Sequence, residues 1–422
     1  MSDTRANMMG HIHGLENLSP RWGFRGAHFP RPGAYAPGYQ SSPLSGLVVG
    51  ASLPQSLVLD HVDAHLFQES GSLGLQIRLL MPFFFLVMAT VCVSAPRAER
   101  DIDRVELKQR ALNSLKAAIQ NRENPVVRLA AIEALQSNDS PEMLPWIRTS
   151  LLDEIAAVRF AACVTLGVLR DSNAEAALRT RLKDDDPGVQ VAAIFALHKL
   201  GHTDQTARMP EYLLDHTDVT VRRNAALVMG MMDEPGVVKT LARAMKDRDP
   251  GVRHHALEAM ARLGNRDAAK ELAFMTNAGV GSEEVFAVNA LAGTRDRIYT
   301  DTFRYKLANG PHLETRLAAA RGLGLLGDDS GFTEAMRSLG RDRPATNDVN
   351  DPPADQILRI RQLAAGAVGA IGRADALPAL APMLADPTDP RLQVSAARAV
   401  LDILSRDRAK SLPFRTEQRP PP

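Results

Sequence analysis

The sequence has few cysteines, few aromatic residues and almost no net charge, and each shortage excludes a class of protein. Two cysteines in 422 residues exclude a disulfide-stapled scaffold and a cysteine-rich zinc site. Aromatic residues make up 5% of the chain, which disfavours a large sheet-based core, because strands favour aromatic and β-branched residues. The formal net charge of +1 excludes both a strongly basic nucleic-acid-binding protein and an acidic disordered one.

The first 95 residues differ in composition from the rest of the chain. Residues 1–75 contain ten Gly, six Pro and no Lys, and they lack any helical or strand period, so we interpret residues 1–78 as disordered. An uncharged apolar run of seventeen residues then begins at Leu79 and ends at Ala95. It is short for a spanning helix, which needs about 20 apolar residues, and it fits the core of a signal peptide with basic Arg78 before it.

The internal position of this run leaves two hypotheses open. An export signal belongs at the N-terminus, so one hypothesis is that translation starts near residues 73–81 and that the preceding residues are an over-extended gene start. The other is a type II membrane anchor with a disordered cytoplasmic tail, in which residues 79–95 tether the protein to the membrane. Both hypotheses predict that the protein is exported (periplasmic or secreted) or membrane-anchored.

A sequence repeat organises the chain from about residue 104 to residue 406. The phrase Val-Arg-x-Ala-Ala-x-x-Ala-Leu begins at Val127 and returns at Val158, and its nine copies begin at residues 127, 158, 189, 221, 252, 283, 315, 360 and 392. Successive copies begin 31 or 32 residues apart, except for one interval of 45 residues. Such self-similarity predicts one repeat array rather than about three globular domains.

Each copy carries the signals of a helical hairpin. With the first residue counted as position 0, apolar residues fall at positions 0, 3, 4, 7 and 8, which form one stripe of a helix. Asp-Pro or Asn-Pro precedes several copies, as expected for an N-cap followed by proline, and a second apolar helix lies ahead of it. Glycine often ends the unit, as a left-handed C-cap requires, at Gly201, Gly264, Gly327 and Gly372. We predict an all-α fold, an α-solenoid (alpha-alpha superhelix) of about nine helical hairpins over residues 101–410, with a disordered tail over residues 411–422.

The full repeat pattern resembles a known family. Asp-Pro-x-Val-Arg-x-Ala-Ala-x-x-Ala-Leu-x-x-Leu-Gly is similar to the HEAT-like repeat of the bilin-lyase (phycobilisome lyase) type, over roughly 300 of the 422 residues. The resemblance implies an armadillo- or HEAT-like superhelix. It implies most often a curved binding scaffold, in a few cases a bilin lyase and in one branch a di-iron hydroxylase, because one architecture serves many functions.

The histidines and cysteines of the sequence do not occur in the patterns that metal or nucleophilic catalysis needs. The di-iron HEAT enzymes resemble one another in His-Glu dipeptides, and none of the eleven histidines is followed by Glu. His254 and His255 are adjacent on a helix, so their rings diverge by about 100°. Cys163 lies within the packed phrase, where we interpret it as a small apolar residue. We predict no catalytic residues, no metal site and no cofactor.

The arginine at position 1 recurs in six of the nine copies and has two interpretations. The arginines could form an anion-binding ladder along the array. Alternatively, each arginine could bond carboxylates and carbonyls of the adjacent turn, an interpretation favoured by the neighbouring cap aspartates Asp186, Asp218, Asp249 and Asp389. The residues are Arg128, Arg159, Arg222, Arg253, Arg316 and Arg361.

Positions 2 and 9 of the phrase form the first candidate binding surface. They lie opposite the apolar stripe, so we expect them to face the inner, concave surface of the superhelix. An apolar strip across the first three repeats could then hold a partner helix or an extended peptide, whereas ordinary burial between repeats is the alternative. The candidate residues are Leu129, Phe160, Val191 and Phe195, followed along position 2 by Arg223 and His254.

Two further segments are candidates for interaction. Residues 295–306 combine Arg and Tyr on what we expect to be one helix, a composition typical of interface hot spots, with Arg295, Tyr299 and Tyr305 as the candidate residues. An amphipathic outer helix is the alternative. Residues 341–356, which lengthen one repeat interval, are polar and contain proline, and we predict an exposed loop between two helices of one unit, either functional or merely tolerated.

These observations favour a non-enzymatic scaffold that binds a partner protein or peptide on its concave surface. The alternative is a bilin or chromophore lyase-like accessory protein, which the resemblance alone suggests and which export would disfavour. Residues 101–410 carry 41 basic and 42 acidic residues, so the array lacks the overall basic surface that nucleic-acid binding requires.

Overall fold

The computed structural model describes residues 103–411, except residues 139, 348–349 and 387–388. The predictions for residues 1–78, for the apolar run 79–95 and for the tail from residue 412 onward therefore lie outside the described residues. Within the described part of the chain, none of the helices combines the length and apolarity that a membrane crossing requires.

The described residues fold into eighteen α-helices with no strand, which confirms the predicted all-α solenoid. Nine 3₁₀ segments lie beside them, at Leu135–Ser137, Pro141–Met143, Ser150–Leu152, Ser172–Ala174, Thr206–Arg208, Pro235–Val237, Arg297–Tyr299, Ala374–Ala376 and Pro382–Ala385. The α-helices are α1 Arg104–Ile119, α2 Pro125–Ala134, α3 Leu144–Thr149, α4 Ala156–Val168, α5 Glu175–Arg181, α6 Pro187–Lys199, α7 Met209–Leu214, α8 Val219–Met229, α9 Val238–Ala244, α10 Pro250–Arg262, α11 Arg266–Met275, α12 Gly281–Thr294, α13 Thr300–Asn309, α14 Leu313–Leu325, α15 Phe332–Leu339, α16 Pro353–Ile371, α17 Leu377–Leu380 and α18 Pro390–Ser411.

The helices form nine hairpins, and the even-numbered helix of each carries the repeat phrase. The predicted N-caps are present: the side chain of Asp186 accepts a hydrogen bond from the Val189 amide at 3.0 Å, and Asp249 accepts one from the Val252 amide at 3.0 Å. The four predicted glycine C-caps also occur, with left-handed φ angles at residues 201, 264, 327 and 372.

Successive even-numbered helices approach each other closely through glycine and alanine. A Cβ placed on Gly230 would lie 2.4 Å from the Cβ of Ala259, and one placed on Gly167 would lie 2.7 Å from the Cα of Ala196. In both cases position 9 of one phrase meets position 7 of the next phrase. Small residues are therefore needed at both positions, because any larger side chain would separate the helices.

The last helix packs against the first hairpin, so the array closes on itself. Helix α18 contacts both α1 and α2. The Asp402 carboxylate on α18 accepts hydrogen bonds from Ser137 Oγ at 3.1 Å and Asn138 Nδ2 at 3.2 Å, and Arg110 Nη2 on α1 donates to the Ala381 carbonyl at 3.0 Å. The sequence pattern predicts stacking of neighbours but gives no sign of this closure.

The longer repeat interval is only partly the exposed loop that we predicted. Helix α16 begins at Pro353, so its first turn occupies the end of the predicted loop. Gln356 is buried, accepts hydrogen bonds from the Ala345 and Thr346 amides, and donates to the Asp351 carbonyl at 2.7 Å. The expectation of a loop to residue 356 is wrong, because this glutamine anchors the chain that precedes the helix.

Candidate functional site

Three of the six arginines at position 1 of the phrase bridge consecutive hairpins, namely Arg128, Arg159 and Arg222. Arg128 binds Asp153 through Nε and Nη2, at 2.8 Å and 2.9 Å, and Arg222 binds Asp247 in the same bidentate way, at 2.9 Å and 3.1 Å. A further nitrogen of Arg128 donates to the Asn121 carbonyl at 2.8 Å. These arginines are thus occupied by structural contacts, which favours the second interpretation over an anion-binding ladder.

The aspartates that pair with these arginines are not the N-cap residues that we expected. Asp247 lies two residues before the cap Asp249 and also accepts the Asp249 amide, at 2.8 Å. Asp184 stands in the same relation to Asp186, at 3.1 Å. The arginine at position 1 pairs with the acid that precedes the cap, and the cap carboxylate accepts an amide of the helix N-terminus.

The sixth hairpin reverses the charges of this bridge. Glu284 occupies position 1, where other copies have arginine, and Lys306 on α13 lies 3.9 Å from its carboxylate. Both side chains are buried, and the Thr315 hydroxyl donates to the same carboxylate at 3.4 Å. The sixth copy of the phrase looks degenerate in sequence but keeps an ion pair between hairpins.

The predicted apolar strip does not form an exposed concave surface. Leu129, Val191 and Phe195 are buried in the core, and Phe160 is half-buried and packed against it. Leu129, Phe160 and Val191 at position 2 point toward the neighbouring hairpin and pack between repeats. Phe195 instead lies at position 6 and is fully buried. The expectation of an exposed strip is wrong at these positions.

The polar residues predicted along position 2 make contacts between repeats as well. Arg223 binds Asp249 in a bidentate ion pair at 2.8 Å and 2.7 Å. Burial alone would raise the pKa of Asp249, but the hydrogen bonds from Arg223 and Val252 outweigh it and lower this pKa to about 2. His254 Nε2 lies 3.2 Å from Glu283, and its ring stacks on Phe286 with 4.6 Å between centroids.

Position 6 of the phrase, which the sequence analysis did not single out, supplies the polar residues of the interior. Burial lowers the pKa of Arg321 on α14 to about 10, and the charges of Arg398, Asp402, Glu258 and Arg295 also act on it. Glu258 lies on α10 and Arg398 on α18, neither of which is adjacent to α14 in the array. Their fields therefore reach Arg321 across the interior. Polar residues at position 6 of otherwise apolar helices were the sequence signal that could have located this region.

Arg406 reaches the same region from the last helix. Its Nη1 donates to the Gly324 carbonyl on α14 at 3.2 Å, one turn beyond Arg321. Burial lowers the pKa of Arg406, and the charge of Arg295 lowers it further. We call this group the central cluster, and it comprises Glu258, Arg295, Arg321, Arg398, Asp402 and Arg406.

The segment that we expected to be one Arg- and Tyr-rich helix is divided in the structure. Arg295 ends α12 in a left-handed conformation, and its charge belongs to the central cluster. The 3₁₀ segment that ends at Tyr299 follows, and α13 carries Tyr305. The structure therefore separates Arg295 from the two tyrosines, because the chain turns between α12 and α13.

Three large apolar side chains are exposed on the outer elements of hairpins six and seven. Phe274 on α11 is 82% exposed, Ile298 in the 3₁₀ segment 74% and Tyr305 on α13 60%. The charge of Lys270, one turn from Phe274 on α11, acts on the Tyr299 hydroxyl, whose pKa is raised mainly by burial. We call Phe274, Ile298 and Tyr305 the outer patch.

Metal-ligating residue types and the cysteine thiol are two groups whose arrangement the structure defines in the described residues. No group of three or more His, Cys, Asp or Glu in this part of the chain is arranged to hold a metal ion. Cys163 is fully buried, and burial raises the pKa of its thiol far above the ordinary value. A thiol in this environment stays protonated and packs as an apolar group.

The geometry of stacked hairpins agrees with the family that the sequence matches. The profile of the family HEAT repeats matches residues 112–198 and 206–292. The chain carries HEAT repeats over these two ranges. No curated protein sequence shows significant similarity to it.

Solved HEAT-type structures resemble the chain only distantly. Human deoxyhypusine hydroxylase in complex with glycerol is 18% identical, and the match covers 71% of this chain and 98% of that chain with a TM-score of 0.32. The complex of CpcE and CpcF of phycocyanin lyase from Nostoc sp. is 18% identical, with 63% and 96% of the two chains covered and a TM-score of 0.29. Similarity this low supports no argument about the function of this HEAT-repeat protein.

Proposed function

We propose that this HEAT-repeat protein is a non-enzymatic scaffold that binds a partner protein through the outer patch. The observation that carries the proposal is the exposure of three large apolar side chains, Phe274, Ile298 and Tyr305, on consecutive outer helices. Large apolar and aromatic side chains left in water together are characteristic of interaction surfaces, because their burial by a partner releases free energy.

The scaffold supports this surface rigidly. Phe303 on α13 is fully buried beneath Tyr305, and Leu272 on α11 is fully buried beside Phe274. The buried pair of Glu284 and Lys306 holds α13 to α12. A partner would therefore meet a preorganised surface, which lowers the entropic cost of binding.

The charges beside the outer patch indicate the chemistry of the partner. Arg297 is exposed and makes no ion pair with any described residue, whereas Arg304 pairs with Asp328 at 2.8 Å. An exposed guanidinium next to apolar side chains favours a partner segment with apolar residues flanked by carboxylates. Among the described residues, the even-numbered helices carry none of the exposed large apolar side chains.

Affinity capture with matched variants tests the proposal. Ile298→Asp and Phe274→Asp in the full chain should abolish recovery of the partner under native conditions, with cross-linking and mass spectrometry used to locate the contact. Leu152→Asp is the control, because Leu152 ends a 3₁₀ segment in the second hairpin and is 78% exposed. Equal recovery by all three variants, with folded circular-dichroism spectra, would exclude the outer patch.

We also propose that the scaffold acts at a membrane or outside the cytoplasm. The apolar run 79–95 supports this location. Fractionation of cells that produce the native protein should place it in the membrane or exported fraction, and recovery with cytoplasmic proteins alone would contradict the proposal.

A further inference from the structure

The central cluster brings four guanidinium groups together inside the closed array. Arg321 extends from α14, Arg398 and Arg406 from α18, and Arg295 from the end of α12. Arg406 passes Gly372, where an added Cβ would lie 2.5 Å from its Cδ, and then reaches the Gly324 carbonyl. Arg406 thus reaches the C-terminal turn of α14, and the charges of Arg295 and Arg398 act on Arg321 of the same helix.

The carboxylates of the cluster are already engaged. Glu258 accepts a hydrogen bond from Arg262 at 2.6 Å. Asp402 accepts from Ser137 and Asn138 at the closure and lies 3.7 Å from Arg398. Asp402 holds the array closed and lies beside Arg398, and Glu258 pairs with Arg262 on its own helix, so these two acids do not balance the remaining guanidinium groups.

Three arginines of the cluster make no ion pair with any described residue. The only hydrogen bond of the Arg321 side chain among the described residues runs from Nη1 to the neutral Asn289 amide oxygen at 3.2 Å. Arg406 donates to a backbone carbonyl, and Arg295 is exposed to solvent. An excess of positive charge therefore lies in the interior of an array whose overall charge is close to zero.

Solvent and small solutes have access to this charge. The side chains of Arg398 and Asp402 are 25% and 22% exposed, and Arg321 and Arg406 are half-buried. Guanidinium groups bind oxyanions through paired N–H donors, and partial burial strengthens the attraction because little water screens it.

We propose that Arg295, Arg321, Arg398 and Arg406 form a binding site for a phosphate-sized oxyanion in the interior of the closed array. The bound anion supplies the negative charge that the central cluster lacks and links α12, α14 and α18. The site lies apart from the outer patch, so it is a second function that does not depend on partner binding.

Calorimetric binding of inorganic phosphate to the full chain tests the site, with sodium chloride of equal ionic strength as the reference. We expect phosphate to bind at one site and to raise the unfolding temperature above the chloride value. Arg321→Gln and Arg406→Gln should each weaken binding by about tenfold or more, the loss of one charge-assisted contact. Arg337→Gln is the control, because Arg337 is exposed and pairs with Glu334 on the surface of α15.

The unfolding temperatures of the variants in the absence of phosphate show whether these arginines bind phosphate or only stabilise the fold. Arg321→Gln removes a charge with no ion pair, so it should keep or raise the unfolding temperature in chloride while losing the response to phosphate. A response no larger than that to chloride, or an undiminished response in Arg321→Gln, would overturn the proposal. A parallel titration with glycerol phosphate distinguishes the ligands: tighter binding of the ester assigns the site to phosphomonoesters, and tighter binding of phosphate assigns it to the free ion.

Discussion

Arg159 and Asp184 form a buried bidentate ion pair that joins the second hairpin to the third. Arg159 Nη2 and Nε lie 2.7 Å and 3.0 Å from the two carboxylate oxygens, and Nη1 donates to the Asp153 carbonyl at 2.9 Å. The hydrogen bond to Asp184 raises the pKa of Arg159 above its ordinary value. The Arg159 side chain thus contacts the loop of its own hairpin and the corresponding loop of the next hairpin.

Removing the acid from this pair should destabilise the array strongly. Asp184→Ala removes the buried carboxylate and leaves Arg159 with only the exposed Asp185 carboxylate, 2.8 Å from Nη2, so we expect the free energy of unfolding to fall by about 3 kcal/mol. Urea denaturation followed by circular dichroism measures the change. Lys270→Ala is the control, because its ion pair with Asp267 is solvent-exposed and should contribute about 1 kcal/mol or less. Equal effects of the two substitutions would contradict the structural role of the bridge.

The reversed pair in the sixth hairpin should tolerate exchange of its charges better than loss of one. Glu284→Lys alone places two ammonium groups together in a buried site, and we expect a loss of about 3 kcal/mol or more. Adding Lys306→Glu restores opposite charges and should recover at least half of that loss. A double-mutant cycle measures the coupling. Additive losses in the double variant would show that the two groups do not interact.

Acid should lower the free energy of unfolding, because aspartates whose pKa is lowered in the folded protein become protonated. Asp249 has a pKa of about 2 in the folded protein, below the ordinary value of 3.8, because the hydrogen bonds from Arg223 and Val252 outweigh burial. Its folded pKa is lowered, so its contribution is complete above the ordinary pKa and is lost as the pH falls toward 2. Asp249→Asn keeps an N-cap oxygen but cannot titrate, and the free energy of unfolding of this variant should fall less steeply in acid. An unchanged slope in urea titrations between about pH 5 and pH 2 would contradict this assignment.

Two glycines should respond in opposite directions to alanine. A Cβ on Gly324 would lie 2.6 Å from the Ile371 amide nitrogen, so Gly324→Ala should force α14 and α16 apart and cost about 1–3 kcal/mol. A Cβ on Gly293 in α12 would meet nothing within 4 Å, and Gly293→Ala should stabilise the helix by about 0.5–1 kcal/mol. Thermal unfolding of both variants measures the difference, and destabilisation by both would contradict the packing at position 9.

Local signals made the hairpins predictable from sequence. The phrase starting at Val252, the cap at Asp249 and the glycine at residue 264 each act within a few residues, and the structure confirms them. These local signals did not predict which face of each even-numbered helix is directed to the interior. Position 2 carries Val191 into the repeat interface because the contacts at Gly167 and Gly230 rotate each helix toward its neighbour.

Closure of the array and the central cluster depend on long-range geometry. The contact of Asp402 with Ser137 results from small rotations accumulated over nine hairpins, and no local pattern specifies their sum. Arg321 and Arg398 share position 6, and this shared position was visible in the sequence. The sequence alone could not show that these residues lie near one another, because only a closed array places α14 and α18 opposite α10.

Chemical cross-linking across the closure tests the account most directly. Ser137 Oγ and Asp402 Oδ1 are 3.1 Å apart although 265 residues separate them in sequence. In the full chain carrying Ser137→Cys and Asp402→Cys, a short bismaleimide should link the two thiols within one molecule, as mass spectrometry of the joined peptides would show. Failure to form that link, while each thiol alone reacts with a monofunctional maleimide, would show an open array and contradict both the closure and the central cluster.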